Sequence, residues 1–138
     1  MTAFKLLVDK PVHLEMTGKF VAPSAEWIHL SRILQDYELI VMTEGVLYLA
    51  GDNQQFVVSK GEFLLLPPLT RQYGYKSSDC SFYWLHFHAA NSSQTAGSPP
   101  LTGGKEEYVI HLPQYGSLRN VEKNHRDDEA APGFGAEL

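Results

Sequence analysis

The chain has 138 residues, of which 43% are apolar, 12% aromatic and 20% charged, with a formal net charge of −5. That length predicts one domain, and the composition excludes a wholly disordered chain, a collagen and a coiled coil. No apolar run approaches the ~18 residues that span a bilayer, so no membrane partner is expected.

The charge is uneven. Residues 121–138 hold five acids and two bases, while residues 1–120 hold 11 acids and nine bases. Neither part is basic, so no direct nucleic-acid contact by this chain is expected. The start, MTAFKLLVDKPVHLEMTGKF, is broken by charges and by Pro11, unlike a signal peptide. Cys80 is the single cysteine. It cannot form an internal disulfide or a zinc-finger set, and it fits a reducing compartment, here the cytoplasm.

In chain order, residues 1–25 read as an extended N-terminal arm with room for a short strand, with short apolar runs at Phe4 to Val8 and Phe20 to Ala22. Short β-like runs follow: WIHLSRIL (27–34), YELIVMT (37–43), VLYLAG (46–51), QFVV (55–58), EFLLL (62–66), SFYWLHFH (81–88) and YVIHL (108–112). Turn residues such as Glu44-Gly45, Gly51-Asp52-Asn53 and Lys60-Gly61 separate them. Strands at roughly 8–12-residue spacing predict an all-β sandwich or barrel over residues 26–113. Pro67-Pro68 ends the EFLLL run, because proline cannot donate to a ladder. Residues 90–104 are small, polar and rich in Gly and Pro, which predicts a long loop. Residues 114–138 read as a tail, with a short helical turn near Ser117 to Lys123 and disorder beyond.

His86 and His88 form an H-x-H pair, which period 2 puts on one strand face with Phe82 and Trp84. A metal site needs a third and usually a fourth ligand. His29 and His111 could supply one, but nothing in the spacing brings them there, so no metal and no cofactor is expected. The alternative for His86 is a hydrogen-bonded pocket or core residue beside Trp84. The aromatic strand from Phe82 to Phe87 is either core or the wall of a ligand cavity, since small barrels often enclose one small ligand. There is no GxSxG and no phosphate-cradling glycine loop, so no catalytic residue stands out. Cys80 reads as a packing residue, and Asp127-Asp128 and Glu106-Glu107 as surface charge.

Several motifs occur in a telling order: W-x-H-x-x-R (Trp27, His29, Arg32), D-Y-E-L-I (Asp36 to Ile40), E-G-x-L-Y-L (Glu44 to Leu49), G-E-x-L-L-L-P-P (Gly61 to Pro68), Y-G-Y (Tyr73 to Tyr75) and W-L-H-F (Trp84 to Phe87). Together with PQYGSLRNVEK (113–123), they make the chain resemble the amino-terminal effector-binding domain of AraC-type transcription regulators over about residues 20–123. That resemblance implies a cupin-like double-stranded β-helix or jelly-roll barrel. It also implies a small-molecule effector, often a sugar, and a homodimer whose separate carboxy-terminal domain reads DNA. It further implies an aromatic stack on the sugar from Trp84, with Tyr73 close by. His86 and Arg32 join them as ligand-binding candidates, His86 because it shares the Trp84 face and Arg32 as the lone arginine of its strand.

The sequence departs from the family pattern in three places. Gln72 stands where a metal-binding cupin has a histidine, and Val46 to Leu49 lack the first motif's histidine pair. NHRDDEAAPGFGAEL replaces the amphipathic helices that dimerise, and no DNA-reading segment follows within the 138 residues. The expectation is therefore a sensing module, either a fragment of a regulator or a stand-alone sensor. The alternative is a metal-dependent cupin enzyme using His86, His88 and a third ligand.

Overall fold

A computed structural model describes residues 3–7, 12–89, 93–94 and 109–119. The expected loop at 90–104, apart from Ser93-Gln94, and the tail beyond Arg119 lie outside these residues. The described part is antiparallel β-structure throughout, as expected of an all-β chain. Its strands are β1 (Ala3–Leu7), β2 (His13–Val21), β3 (Arg32–Ile33), β4 (Tyr37–Glu44), β5 (Val46–Gly51), β6 (Gln54–Ser59), β7 (Glu62–Leu66), β8 (Arg71–Gly74), β9 (Ser81–His88), β10 (Ser93–Gln94), β11 (Val109–Pro113) and β12 (Tyr115–Ser117). The backbone turns helical at Leu118-Arg119, where the sequence predicts a helical turn.

Three sheets stack in layers. The central sheet has the order β12-β7-β4-β9-β2, with β3-β8-β5-β6 on one side and β10-β1-β11 on the other. Alternation along the central strands sorts the side chains between two cores. Ile40, Met42, Leu64, Leu66 and Phe82 point toward the four-stranded sheet, where Leu47, Leu49, Phe56 and Val58 meet them. The intervening residues Tyr37, Leu65 and Phe87 point the other way, onto Phe4 and Leu6 of β1. This double coverage explains why β7 reads as an unbroken apolar run rather than an alternating one. Cys80 is buried in the larger core, and burial pushes its thiol pKa up, which keeps it an unreactive packing residue.

Two segments depart from the sequence reading. Residues 27–34 give only the two-residue β3, because Trp27 to Leu30 leave the ladder and bond irregularly instead. Gly74 N–H donates to the His29 carbonyl at 3.0 Å, and Ser78 N–H to the Trp27 carbonyl at 2.9 Å. Gly74 makes that approach possible: a Cβ there would lie 2.6 Å from the His29 nitrogen. The stretch read as an arm contributes β1 and the nine-residue β2, which pairs along β9 from His13↔His88 to Val21↔Ser81. The bulge between Leu14 and Met16 and the polar outward positions of β2 hide its alternation from a periodicity argument.

One polar clasp fixes β12 to β7. Tyr115 Oη donates to Glu62 Oε2 at 2.6 Å, and Glu62 Oε1 accepts the Ser59 N–H at 2.7 Å. The bond to Glu62, aided by burial, pushes the Tyr115 phenol from 10.0 up to about 12. A raised pKa means the folded state favours the protonated phenol. That stabilisation is fully present below pH 10 and disappears as pH rises toward 12. Chemical denaturation across pH 9–12 should therefore show a steeper stability loss for the wild type than for Tyr115→Phe. Parallel curves would show that the bond contributes nothing.

Candidate functional site

A cavity of about 260 Å³ opens between the central sheet and the irregular segment before β3. Its walls are Met16 and Phe20 from β2, Phe82, Trp84 and His86 from β9, Glu38 from β4, and Trp27, His29, Leu30 and Arg32 from the segment leading into β3. Period 2 on β9 aims Phe82, Trp84 and His86 inward together. The same rule on β4 aims Glu38 inward, directly across from His86 in register.

The cavity has an aromatic side and an ionic side. On the aromatic side Phe20 packs 4.5 Å from Trp27 and 5.0 Å from Phe82, centroid to centroid. Trp84 stands edge-on to His86 at 5.5 Å. Gly18 is opposite Trp84 in the β2–β9 ladder, and a Cβ at that position would lie 2.6 Å from the indole Cζ2. The indole therefore occupies the space that any other residue at position 18 would fill.

On the ionic side, Glu38 is 2% exposed and engages Arg32 and His86. Arg32 Nη2 donates to Glu38 Oε1, and His86 Nε2 lies 2.7 Å from Glu38 Oε2. His86 Nδ1 lies 3.0 Å from Asp36 Oδ1. A neutral imidazole has one N–H, so both contacts are satisfied together only when the ring or one carboxyl carries an additional proton. Burial of such charges is tolerated because each is paired.

His29 closes the mouth. Burial lowers its pKa from 6.5, the bond to the Leu30 carbonyl opposes that shift, and Arg32 adds to it. Its ring Nδ1 lies 2.8 Å from the Leu30 oxygen and must donate, which leaves Nε2 as an acceptor.

Of the four ligand-binding candidates from sequence, Trp84, His86 and Arg32 line this one cavity. Tyr73 does not: it sits on β8 with 43% exposure, and its neighbour Gln72 takes the inward position. Sequence reasoning singled out neither Asp36 nor Glu38 as a site residue. The available signal was a carboxylate at inward parity within the apolar run YELIVM. Among the described residues no three His, Cys, Asp or Glu side chains are grouped to hold a metal ion. His88, the second histidine of the pair, is half exposed at the strand end and meets Glu15 at 3.2 Å. His86 has both ring nitrogens engaged by carboxylates, so as arranged it presents no free lone pair to a metal.

The family model for the AraC-like ligand binding domain matches residues 26–121. The chain belongs to that family. An AraC-like domain of this kind has a cupin-like β fold, in agreement with the layered sheets and with the resemblance noted from sequence. The chain is also 41% identical over 121 residues to the uncharacterized HTH-type transcriptional regulator YisR of Bacillus subtilis. That match covers 79% of this chain and 42% of the relative, so the chain spans under half of the relative's length. Similar solved structures include a cupin protein from Bacteroides fragilis, at 13% identity and a TM-score of 0.34 over 74% of each chain. A mutant oxalate decarboxylase from Bacillus subtilis is similar at 16% identity and a TM-score of 0.38, over 85% of this chain and 44% of that one. Among the described residues of this AraC-like domain, no helix is long and apolar enough to cross a membrane.

Two measurements test the site's internal architecture. Glu38→Leu leaves Arg32 without its carboxylate and His86 Nε2 without its acceptor, with only the Asp36 contact on Nδ1 remaining. It should cost about 3–5 kcal/mol, toward the lower end because the Arg32 side chain is 26% exposed. A drop in urea midpoint worth under about 1 kcal/mol would mean the charges are not coupled. His29 is the second test. Its folded pKa lies below 6.5, so the stability it contributes is full above pH 6.5 and declines as pH falls through the lowered value. Thermal melts from pH 7.5 to 4.5 should show a shallower decline for His29→Asn than for the wild type.

Proposed function

We propose that this chain is the effector-sensing domain of an AraC-type transcription regulator, binding a small uncharged metabolite, a sugar or a close relative, without catalysing a reaction. The observation that carries this reading is the two-sided cavity. The rings of Trp84, Trp27, Phe20 and Phe82 face the linked side chains of Arg32, Glu38 and His86 across about 260 Å³, with Asp36 holding His86 from behind.

The chemistry follows from what each side offers. Among the described residues, Arg32 and His86 are already engaged by Glu38 and Asp36, so an anionic ligand would have to compete with these carboxylates, leaving only Arg32 Nε unpartnered. What it offers is an apolar ring face for a ligand's C–H surface and polar atoms at the edge for its hydroxyls. A sugar matches both, because its C–H face buries area on an indole while its hydroxyls exchange hydrogen bonds with charged groups. We assign Trp84 to the stack, and Arg32 and His86 to orienting the ligand edge. Tyr73 is left out because of its outward position.

Sensing would then work by differential affinity. A ligand shifts an equilibrium only by binding one state better than another. The segment from Trp27 to Leu30 and the strand β2 both contribute cavity walls and lie outside the main hydrogen-bonded ladders on at least one side. They are the parts whose position a bound ligand would fix, and in a regulator that bias would reach the partner subunit and the DNA-reading domain. The metal-enzyme alternative requires His86 to release Asp36 and Glu38, which would leave two carboxylates and an arginine to re-pair.

Calorimetry with a panel of pentoses, hexoses and polyols tests the proposal. At least one should bind, and Trp84→Ala should weaken it at least tenfold while the melting temperature stays within a few degrees. Unchanged affinity in Trp84→Ala would overturn the assignment. Stoichiometric iron, manganese or zinc in untagged protein, lost in a His86→Ala, His88→Ala double variant, would favour the enzyme.

A further inference from the structure

A second cavity lies beside the first, and its floor contains an unexplained side chain. Gln72 is 1% exposed, yet neither its amide nitrogen nor its oxygen has a hydrogen-bond partner among the described residues. Buried polar groups are almost always satisfied, because each was hydrogen-bonded to water in the unfolded chain. A buried carboxamide with both ends unused lowers stability, and an apolar residue of the same size would not. A buried polar group with no partner in the fold calls for one from outside it, an ordered water or a ligand.

The cavity that Gln72 lines is about 340 Å³. Its other polar contributors are Gln114, Thr70, and Asn53 and Gln54 from the β5–β6 turn, with Phe56 and Leu66 as apolar floor. Gln114 is also buried, at 8% exposure. This space is separate from the aromatic cavity. Gln72 pairs across the β3–β8 ladder with Arg32, and Leu66 pairs across the β4–β7 ladder with Glu38. The Arg32–Glu38 ion pair thus joins the two facing sheets as a wall. The Trp84 cavity lies on its β9 side and the Gln72 cavity on its β7 side.

We propose that the Gln72 cavity is a second small-molecule site. It suits an uncharged ligand whose edge carries a donor next to an acceptor, as a carboxamide or a vicinal diol does. The lining supplies two buried carboxamides and the half-buried Thr70 hydroxyl, and among the described residues its single ionisable member is Asp52, which sits exposed in the turn. Among the described residues no cation lines it to hold an anion. A donor–acceptor edge satisfies both ends of Gln72 in one contact. The site does not depend on what the Trp84 cavity binds.

Side-chain amide resonances in a ¹⁵N-labelled sample of the full chain test this, with acetamide, nicotinamide, glycerol and erythritol as probes. At least one probe should shift the Gln72 and Gln114 side-chain amide peaks saturably while the Trp84 indole N–H peak stays still. Gln72→Leu should weaken that probe at least tenfold and melt at or above the wild-type temperature. If that variant does not fold, Gln114→Ala takes its place, with the same loss expected. Absence of a saturable shift with every probe would mean the cavity holds only water and would overturn the proposal. So would a Trp84 indole shift with the same midpoint, which would mean one continuous site, and so would unchanged affinity in the folded variant.

Discussion

The carboxylate of Glu38 is the group on which the rest of this domain's site depends. It is nearly inaccessible, and it binds Arg32 from the four-stranded side and His86 from its own sheet. An ionised carboxylate cannot be left alone in such a place, because desolvation would cost several kcal/mol. Its two partners therefore have to be where they are. Arg32 draws the chain before β4 down onto the barrel, which roofs the aromatic cavity with Trp27 to Leu30. His86 in turn recruits Asp36, which fixes the entry to β4. The net cost or benefit of such a network against an apolar core is close to zero in general. Its value here lies in position: one pair holds two sheets apart at a defined width and divides the space between them.

The fold was legible where alternation and turn chemistry agree. β5, β7 and β9 follow the sequence reading, since apolar side chains at period 2 and glycine-bearing turns both mark their limits. β8 was not legible as a strand, because Arg71-Gln72-Tyr73-Gly74 buries a glutamine and exposes a tyrosine, the reverse of what polarity suggests. The length of β2 went beyond the short strand allowed for in the arm, for a related reason: it lies at the edge of its sheet among the described residues, so most of its side chains meet solvent. The site was half legible. Trp84 and His86 share a face by arithmetic, and Arg32 was singled out by its position alone. That Glu38 joins them depends on packing β4 against β9 in one particular register, which no local pattern encodes.

The middle layer of the domain has two duties. Its face toward β1 carries the apolar cluster of Leu65, Tyr37 and Phe87. Its face toward the four-stranded sheet mixes Ile40 and Met42 at one end with Glu38 and His86 at the other. The apolar cluster and the cavity lining are thereby kept on different residues of the same strands. Substitutions in the apolar half are judged by packing, as large-to-small changes there cost ~2–5 kcal/mol. Those in the polar half are judged by whether a charge is left without its partner.

Gly18 bears on how this domain could diverge. The place of the Trp84 indole is set by an atom that is missing from the opposite strand. Residue 18 is itself half-buried on an edge strand and has no role in the ion-pair network, so changing it disturbs little else. Adding one methyl group there would tilt or displace the indole and regrade the depth of the cavity. The size of the cavity could thus change through a single-base change at a position outside its lining.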